Sequence, residues 1–287
     1  MINKSEELSV RWQYNAGCGA LVWQLMFTQT GDLIGQKRVA SSRQALFFGI
    51  DTVTGEVFRN DYLFVDPLHA FSSAESWFTV LETTLGGLVY CSACQPNSPE
   101  HQGIWAVDFR SGSVAWSRPE LVFVANLEDQ FLVYRPSAFA GFPERHFMLI
   151  DPFTGADIRS SGLDILDVNA IRSEVLQEEV RQQVSLPDFV TEGMARERMA
   201  LQRAGIDGTT HCECIVQGSL TVAALHEPDE LRGGWDSSLK IWRIDRLVYA
   251  DMLEERVEKP GLNNFLIRND MLYYLKAREE LVCVALS

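Results

Sequence analysis

GIWAVDFRSGSVAW, residues Gly103 to Trp116, decides how this chain is read. It is an apolar strand ending at Asp108, a tight turn through Ser111 and Gly112, and a second strand closed by Trp116. The same unit recurs as Phe48-Gly49-Ile50-Asp51, Thr54-Gly55, Val57-Phe58, and again as Met148-Leu149-Ile150-Asp151, Thr154-Gly155, Ile158. In every copy Ser or Thr stands three residues after the Asp and Gly four after it. An Asp carboxylate accepts backbone N–H groups a few residues on and so holds a turn. Gly takes positive φ without steric cost and returns the chain to the next strand. One such turn is a weak signal, but three with identical spacing make a repeat. Turn chemistry therefore accounts for Asp51, Asp108 and Asp151 better than a ligand or catalytic role does.

Working outward, four-strand units follow. The first has strands over Leu21–Phe27, Leu33–Val39, Ala45–Asp51 and Val57–Phe64, with a turn at Gly31-Asp32. The second has Trp77–Leu81, Leu88–Cys94, Ile104–Asp108 and Val114–Trp116, with Trp77 aligned on Trp23 and Gly86 on Gly31. A third runs from Leu121 to near Ile158, a fourth from Cys212 to near Val248 with Asp245 as its turn Asp, and a fifth from Asn264 to Leu286. Leu8–Trp12 resembles the last strand of the opening repeat but has no first strand before it, whereas Leu281–Leu286 is a first-type strand with nothing after it. The two ends complement each other as a circular array requires. The turn Asp residues lie 57 and 43 residues apart, which suits propeller blades of about 40–50 residues. The expectation is an all-β fold: a single five-bladed β-propeller over 1–287, closed by the N-terminal strand.

The interval from Asp151 to Asp245 is too long for one blade, and its composition points to an insertion. Leu176, Val180 and Val184 recur at i, i+4 and i+8, on one face of a helix. Asp188 reads as the N-cap of a second helix that Gly205 stops. A helical insertion over 164–204, between blades three and four, is expected.

The A-V-D strand, the x-x-S/T-G turn and the Trp-ended strand resemble the blades of quinoprotein-like β-propellers, the repeat of pyrroloquinoline-quinone dehydrogenases, across some four-fifths of the chain. The resemblance implies the fold. Quinoprotein enzymes carry an adjacent cysteine pair and an export signal, and this sequence has neither, so their cofactor chemistry is not carried over and no cofactor is expected. The repeats are closer to uncharacterised bacterial propellers.

A formal net charge of -14 argues against nucleic acid and anionic membranes as partners, since both need clustered Lys and Arg. No apolar run reaches the roughly 18 residues of a membrane span. The first residues, MINKSEE, hold no apolar signal segment. Six irregularly spaced cysteines fit a reducing compartment, and a cytoplasmic location is expected.

Several residue groups are weighed as sites. Cys91 and Cys94, with His211, Cys212 and Cys214, have the elements of a zinc site, but strand alternation sends Cys91 and Cys94 to opposite faces unless a bulge intervenes. Glu82 and Glu213 fall on first strands, which line a propeller channel, and paired carboxylates there permit hydrolysis. His69, His101, His146, His211 and His226 form no metal or triad spacing, and no phosphate loop is present. Trp235 sits in a Gly-flanked loop, where it is either an exposed contact or, as is commoner for a loop Trp, half-buried. In the insertion, Met194, Met199 and Leu201 face a partner or pack on the propeller rim. No residue is assigned as catalytic, cofactor-binding or metal-binding. The expected function is a non-enzymatic binding or scaffold module for an unidentified protein or small ligand. The alternative is a hydrolase or small-ligand binder using channel carboxylates.

Overall fold

Five antiparallel sheets are built by the described residues, which are 7–64, 75–94, 101–159, 165–207, 211–229 and 233–287 of the computed structural model. The chain divides into two units, Gly19–Gln182 and Met1–Cys18 with Gln183–Ser287. The opening strand, β1 (Val10–Asn15), belongs to the second of these. The Gly19–Gln182 unit holds three four-stranded meanders. They are β2 (Ala20–Phe27), β3 (Asp32–Val39), β4 (Gln44–Asp51) and β5 (Val57–Tyr62); then β6 (Thr79–Leu85), β7 (Leu88–Cys94), β8 (His101–Asp108) and β9 (Ser113–Arg118); then β10 (Val122–Asn126), β11 (Phe131–Phe139), β12 (Phe142–Ile150) and β13 (Asp157–Arg159). Helices α1 (Ile165–Glu174) and α2 (Glu178–Arg181) complete it.

In the other unit come β14 (Val184–Ser185), β15 (Asp188–Phe189) and α3 (Ala195–Arg203). Then follow β16 (His211–Gln217), β17 (Leu220–Pro228), β18 (Trp235–Arg243) and β19 (Arg246–Val257), and last β20 (Phe265–Arg268), β21 (Met271–Lys276) and β22 (Glu280–Ala285). β15 adds to the β16 edge of one sheet, and the other has the order β1-β22-β21-β20-β14. β1 pairs antiparallel with β22, from Val10 opposite Val284 to Asn15 opposite Glu280, and buries Trp12 and Tyr14. The N-terminal strand thus completes the sheet begun by the C-terminal ones.

The three Asp turns share one construction. Asp51 Oδ1 accepts the N–H groups of Val53 and Thr54, each at 3.0 Å. Asp108 Oδ1 accepts those of Arg110 and Ser111 at 2.9 and 3.3 Å, and Asp151 Oδ1 those of Phe153 and Thr154 at 2.9 and 2.8 Å. The Gly four residues on donates its N–H to the Asp carbonyl at 2.7–2.8 Å, with φ of 77°, 76° and 69° at Gly55, Gly112 and Gly155. The Thr54, Ser111 and Thr154 hydroxyls accept the N–H two residues further along. Each side chain of the motif therefore satisfies a backbone donor that the turn would otherwise leave bare.

These turns also join neighbouring sheets. Arg59 on β5 donates to the carbonyls of Phe109 and Arg110 in the next turn, and the Tyr62 hydroxyl donates to that of Gly112. One sheet along, Trp116 Nε1 donates to the Pro152 carbonyl at 2.9 Å and Arg118 to that of Gly155. In return, Arg110 reaches back to Asp32, its Nε donating at 3.0 Å. Between the sheets lie apolar layers: Ile34, Phe47, Leu81, Val89 and Trp105 in one, Tyr90, Ile104, Phe131, Val133 and Met148 in the next. In the other unit Ile215, Val222 and Ile241 pack with Phe265, Leu272 and Val284.

Segment 165–204 departs from the expected helical hairpin. Leu176 precedes α2, Val180 is in it and Val184 is in β14, so they share no helical face, and Leu176 and Val180 are exposed. The reason is that α2 docks through polar Glu178 and Arg181 and its C-cap Gln182, and Gln183 at φ 58° ends the helical path. Asp188 is not a cap; it pairs with Cys214, and α3 begins at Ala195. The Gly205 stop is present: Gly205 N–H donates to Gln202 and Ile206 N–H to Leu201, a Schellman closure sealed by the Leu201–Ile206 contact. α1 covers the third sheet through Val168 and Ile171, joined by Val175 just past its end, on Leu132 and Leu149. α3 covers the fourth through Leu201 on Cys212, Leu225 and Trp242.

Two further alignments are corrected. Asp245 lies in a two-residue hairpin loop with Ile244 between β18 and β19, not in a copy of the Asp turn. The matching backbone pattern occurs at Asp229, whose carbonyl accepts Gly233 N–H at 2.8 Å and whose N–H donates to the Gly234 carbonyl at 2.9 Å. It was hidden because Arg232 stands where the other copies have Ser or Thr. Trp23 lies mid-strand in β2, while Trp77 belongs to a 3-10 turn ahead of β6, so they are not equivalent.

Candidate functional site

In the Gly19–Gln182 unit the first strands of the three sheets each carry a one-residue bulge, at Trp23 in β2, Glu82 in β6 and Val124 in β10. A bulge re-aims a side chain and locally ends pairing. Polar side chains tie these strands together. The Gln24 amide exchanges bonds with the Leu81 backbone, and Thr84 Oγ1 donates to the Phe27 carbonyl at 2.7 Å.

α2 docks on the same strands. The Gln182 Oε1 atom accepts Phe27 N–H at 2.8 Å. The Glu178 carboxylate accepts Thr83 Oγ1 at 3.0 Å and Gln182 Nε2 at 2.6 Å, and pairs with Arg181. Arg181 Nη1 donates to the Thr84 carbonyl at 3.0 Å, and Asn126 Nδ2 to Thr83 Oγ1 at 3.0 Å. Beside this network opens a cleft of about 310 Å³, walled by Glu82, Asn126, Arg172 and Glu178 and by apolar Phe123 and Leu176.

Glu82 does not stand alone there. Its carboxylate is bonded to His101 Nδ1, and both side chains are partly exposed. The hydrogen bond from Glu82 raises the His101 pKa, against an opposing contribution from burial. The pairing was missed because the two residues are 19 apart on different strands. The usable signal lay in the register, which sets Cys94 opposite His101.

Glu213 has a different setting in the other unit. It is 2% exposed, accepts Asn263 N–H at 3.0 and 3.1 Å, and faces His226 Nε2 at 3.5 Å. His226 is bonded through Nδ1 to Ser237 Oγ at 2.8 Å, and that residue too is buried. The three form a closed polar cluster with no exposed member. Glu213 is therefore not an accessible acid or base.

The cysteines behave as small hydrophobes. A bulge does interrupt β7 between Cys91 and Ala93, yet Cys91 is fully buried and Cys94 half-buried. Burial pushes the Cys91 thiol up, with the Glu82 charge adding to it; burial pushes Cys214 up to about 12. Protonated thiols are poor ligands and nucleophiles. Among the described residues no group of three or more His, Cys, Asp or Glu is placed to hold a metal ion.

The remaining candidates scatter. His69 lies outside the described residues. His146 is exposed and bonded to Ser137. His211 meets the Trp235 ring edge-on at 5.5 Å, and Trp235 is a half-buried strand residue. Leu201 packs inward, Met194 is half-buried, and Met199 is exposed. Met199 lines a larger cleft, about 1140 Å³, between α3 and the β15–β16 edge. The candidate site is placed in the smaller cleft because Glu82, whose carboxylate is bonded to His101 behind it, lines it together with a second carboxylate and a cation.

No protein-family model and no curated protein matches the sequence. Among solved structures the chain is similar to the β-propeller domain of the Trilobed protease from Pyrococcus furiosus, at 10% identity and a TM-score of 0.30. That match covers 92% of this chain and 65% of the other, so this chain spans slightly less than two thirds of its length. It is also similar to a glycosyl hydrolase from Bacteroides ovatus, at 10% identity over 96% of this chain and 85% of that one, with a TM-score of 0.33. A third is the β-propeller domain of Cps50 (Swd1) from Myceliophteria thermophila, at 13% identity over 93% and 69%, with a TM-score of 0.27. None of the three is a quinoprotein; what this chain shares with such neighbours is a likeness to β-propeller domains.

Proposed function

We propose that this chain is a five-bladed β-propeller closed by β1, and that it works as a binding module for a small polar ligand seated in the cleft at Glu82. Segment 164–204 acts as an inserted cover, with α2 seated on the first strands. The ligand is neither nucleic acid nor membrane, consistent with the net charge of -14 and with the absence, among the described residues, of a helix long and apolar enough to cross a bilayer. Six unpaired cysteines favour a reducing, cytoplasmic setting.

The observation that carries the reading is the state of the three candidate carboxylates. Glu82 and Glu178 are both partly exposed and line the cleft, and of the two Glu82 is the one bonded to a His rather than to a cation. Glu178 is neutralised by Arg181 and already accepts two further donors. Glu213 is closed off. Glycoside hydrolysis requires two carboxylates free to act on opposite sides of one bond. An oriented carboxylate–imidazole pair, a cation and an amide suffice for binding.

The test is a thermal-shift screen of sugars, nucleosides, amino acids and organic acids on the wild type and Glu82→Gln. At least one compound should raise the midpoint of the wild type and lose that effect in the variant. The hydrolase alternative rests on the Glu82–His101 pair as general base. Turnover of any glycoside or ester that disappears in Glu82→Gln would establish it and overturn the binding-module reading.

A further inference from the structure

We infer a second ligand site at Arg38, one that takes the carboxylate of a small organic acid with an apolar body. None of its three residues lines the Glu82 cleft, so it stands apart from the function proposed above.

The Arg38 guanidinium lies over the Trp23 ring at 4.2 Å from its centroid and over the Trp77 ring at 5.3 Å. Trp23 is 53% exposed, and Trp77 and Arg38 are half-buried. The Arg38 Nε atom is buried with no hydrogen-bond partner, and among the described residues no carboxylate, carbonyl or hydroxyl accepts from its other nitrogens. Its charge is destabilised by burial, opposed by Cys94 only as the thiolate, a form that burial disfavours in turn. The adjacent residue shows the contrast. Lys37, 2% exposed, is paired with Asp61 at 2.7 Å and with the Asn60 amide oxygen at 3.1 Å. One strand thus carries two buried or half-buried cations in succession; among the described residues the first has its acceptors and the second has none.

A half-buried cation without an acceptor costs stability unless something supplies one. Stacking on indoles uses the faces of the guanidinium, and with Nε buried the edge left for a ligand is the Nη1–Nη2 fork. The group that matches a guanidinium edge in plane is a carboxylate, bonded bidentately. Two features select a monoanion with an apolar body. The exposed Trp23 ring offers an apolar face beside the fork, and the Glu82 charge, which with that of Arg38 acts on Cys94, opposes a dianion.

The experiment follows the Arg38 Nε–H signal in the ¹⁵N spectrum, assigned by its loss in Arg38→Lys, at constant ionic strength. Sodium acetate, sodium phenylacetate, phenylacetamide and sodium phosphate are titrated separately. The expected result is a saturable shift with both carboxylates, at least tenfold tighter for phenylacetate, and none with the amide. Trp23→Ala should bring phenylacetate down to the affinity of acetate, and Glu82→Gln, which removes a negative charge felt by any anion, should leave the ratio of the two affinities unchanged. The absence of a saturable shift with either carboxylate overturns the site, and phosphate binding tighter than phenylacetate overturns the ligand class. Arg38→Met separates a binding role from a structural one. Its unliganded thermal midpoint should be unchanged or raised, because a cation without an acceptor has been removed. A fall of more than about 4 °C, the equivalent of a 1 kcal/mol or greater loss at this size, overturns the proposal.

Discussion

At the residue scale the Asp turns make the sharpest predictions. A Cβ on Gly155 would meet the Trp116 ring at 2.7 Å, and φ is 69° there. Gly155→Ala should therefore cost about 2 kcal/mol or more, read from urea unfolding. Hydrogen bonds from Thr154 lower the Asp151 pKa, and those from Thr54 lower that of Asp51. A depressed folded pKa contributes stability above the unfolded value, about 4, that is lost as pH falls through the folded value. Asp151→Asn should flatten that acid limb of the stability profile. His101 has the opposite sign. Its raised pKa gives a contribution that is full below about pH 6.5 and lost as pH rises through the folded value. An NMR titration should show the His101 pKa falling in Glu82→Gln, and since both groups are partly exposed the stability at stake is under about 1 kcal/mol. The turns could be read from sequence because every bond in them spans five residues or fewer. The Glu82–His101 pair and the Trp23–Arg38–Trp77 stack could not, because strand register, bulges and, for Trp77, a 3-10 turn ahead of the next sheet bring those residues together.

At the scale of the element, α2 shows how apolar periodicity misleads. Its exposed Val180 follows the expected spacing, while Glu178, Arg181 and Gln182 do the docking. A four-residue helix has almost no intrinsic stability, so its position rests on those polar bonds. Glu178→Ala leaves Arg181, whose side chain is 7% exposed, without its counter-ion. It should cost about 3 kcal/mol in chemical denaturation and expose Thr83 and Thr84 to hydrogen exchange. Arg181→Met should cost less than Glu178→Ala, since it removes the buried charge itself. α3 was half legible: its Gly205 stop is local chemistry, but its start was misplaced because β15 takes Asp188 into a sheet.

At the scale of the whole molecule, strand order within the sheets was readable because each meander is local and the three Asp turns mark the same hairpin in each. The short strands β14 and β15 were not, since two residues give no periodicity; β14 pairs with β20 far along the chain, and β15 is separated from β16 by α3. β1 carries the largest consequence. Removing residues 7–15 would leave β22 as a bare edge and uncover the layer against Trp12 and Tyr14. The truncated protein should elute as aggregate in size-exclusion chromatography, where the full chain does not. The register of that pairing also has a mechanical meaning. Val10 lies opposite Val284, so a tether at residue 8 and another at residue 286 would pull on the same end of the β1–β22 ladder. The ladder would then open one rung at a time rather than shear all at once. In an optical trap, β1 should peel off first and at low force, whatever the resistance of the sheets behind it.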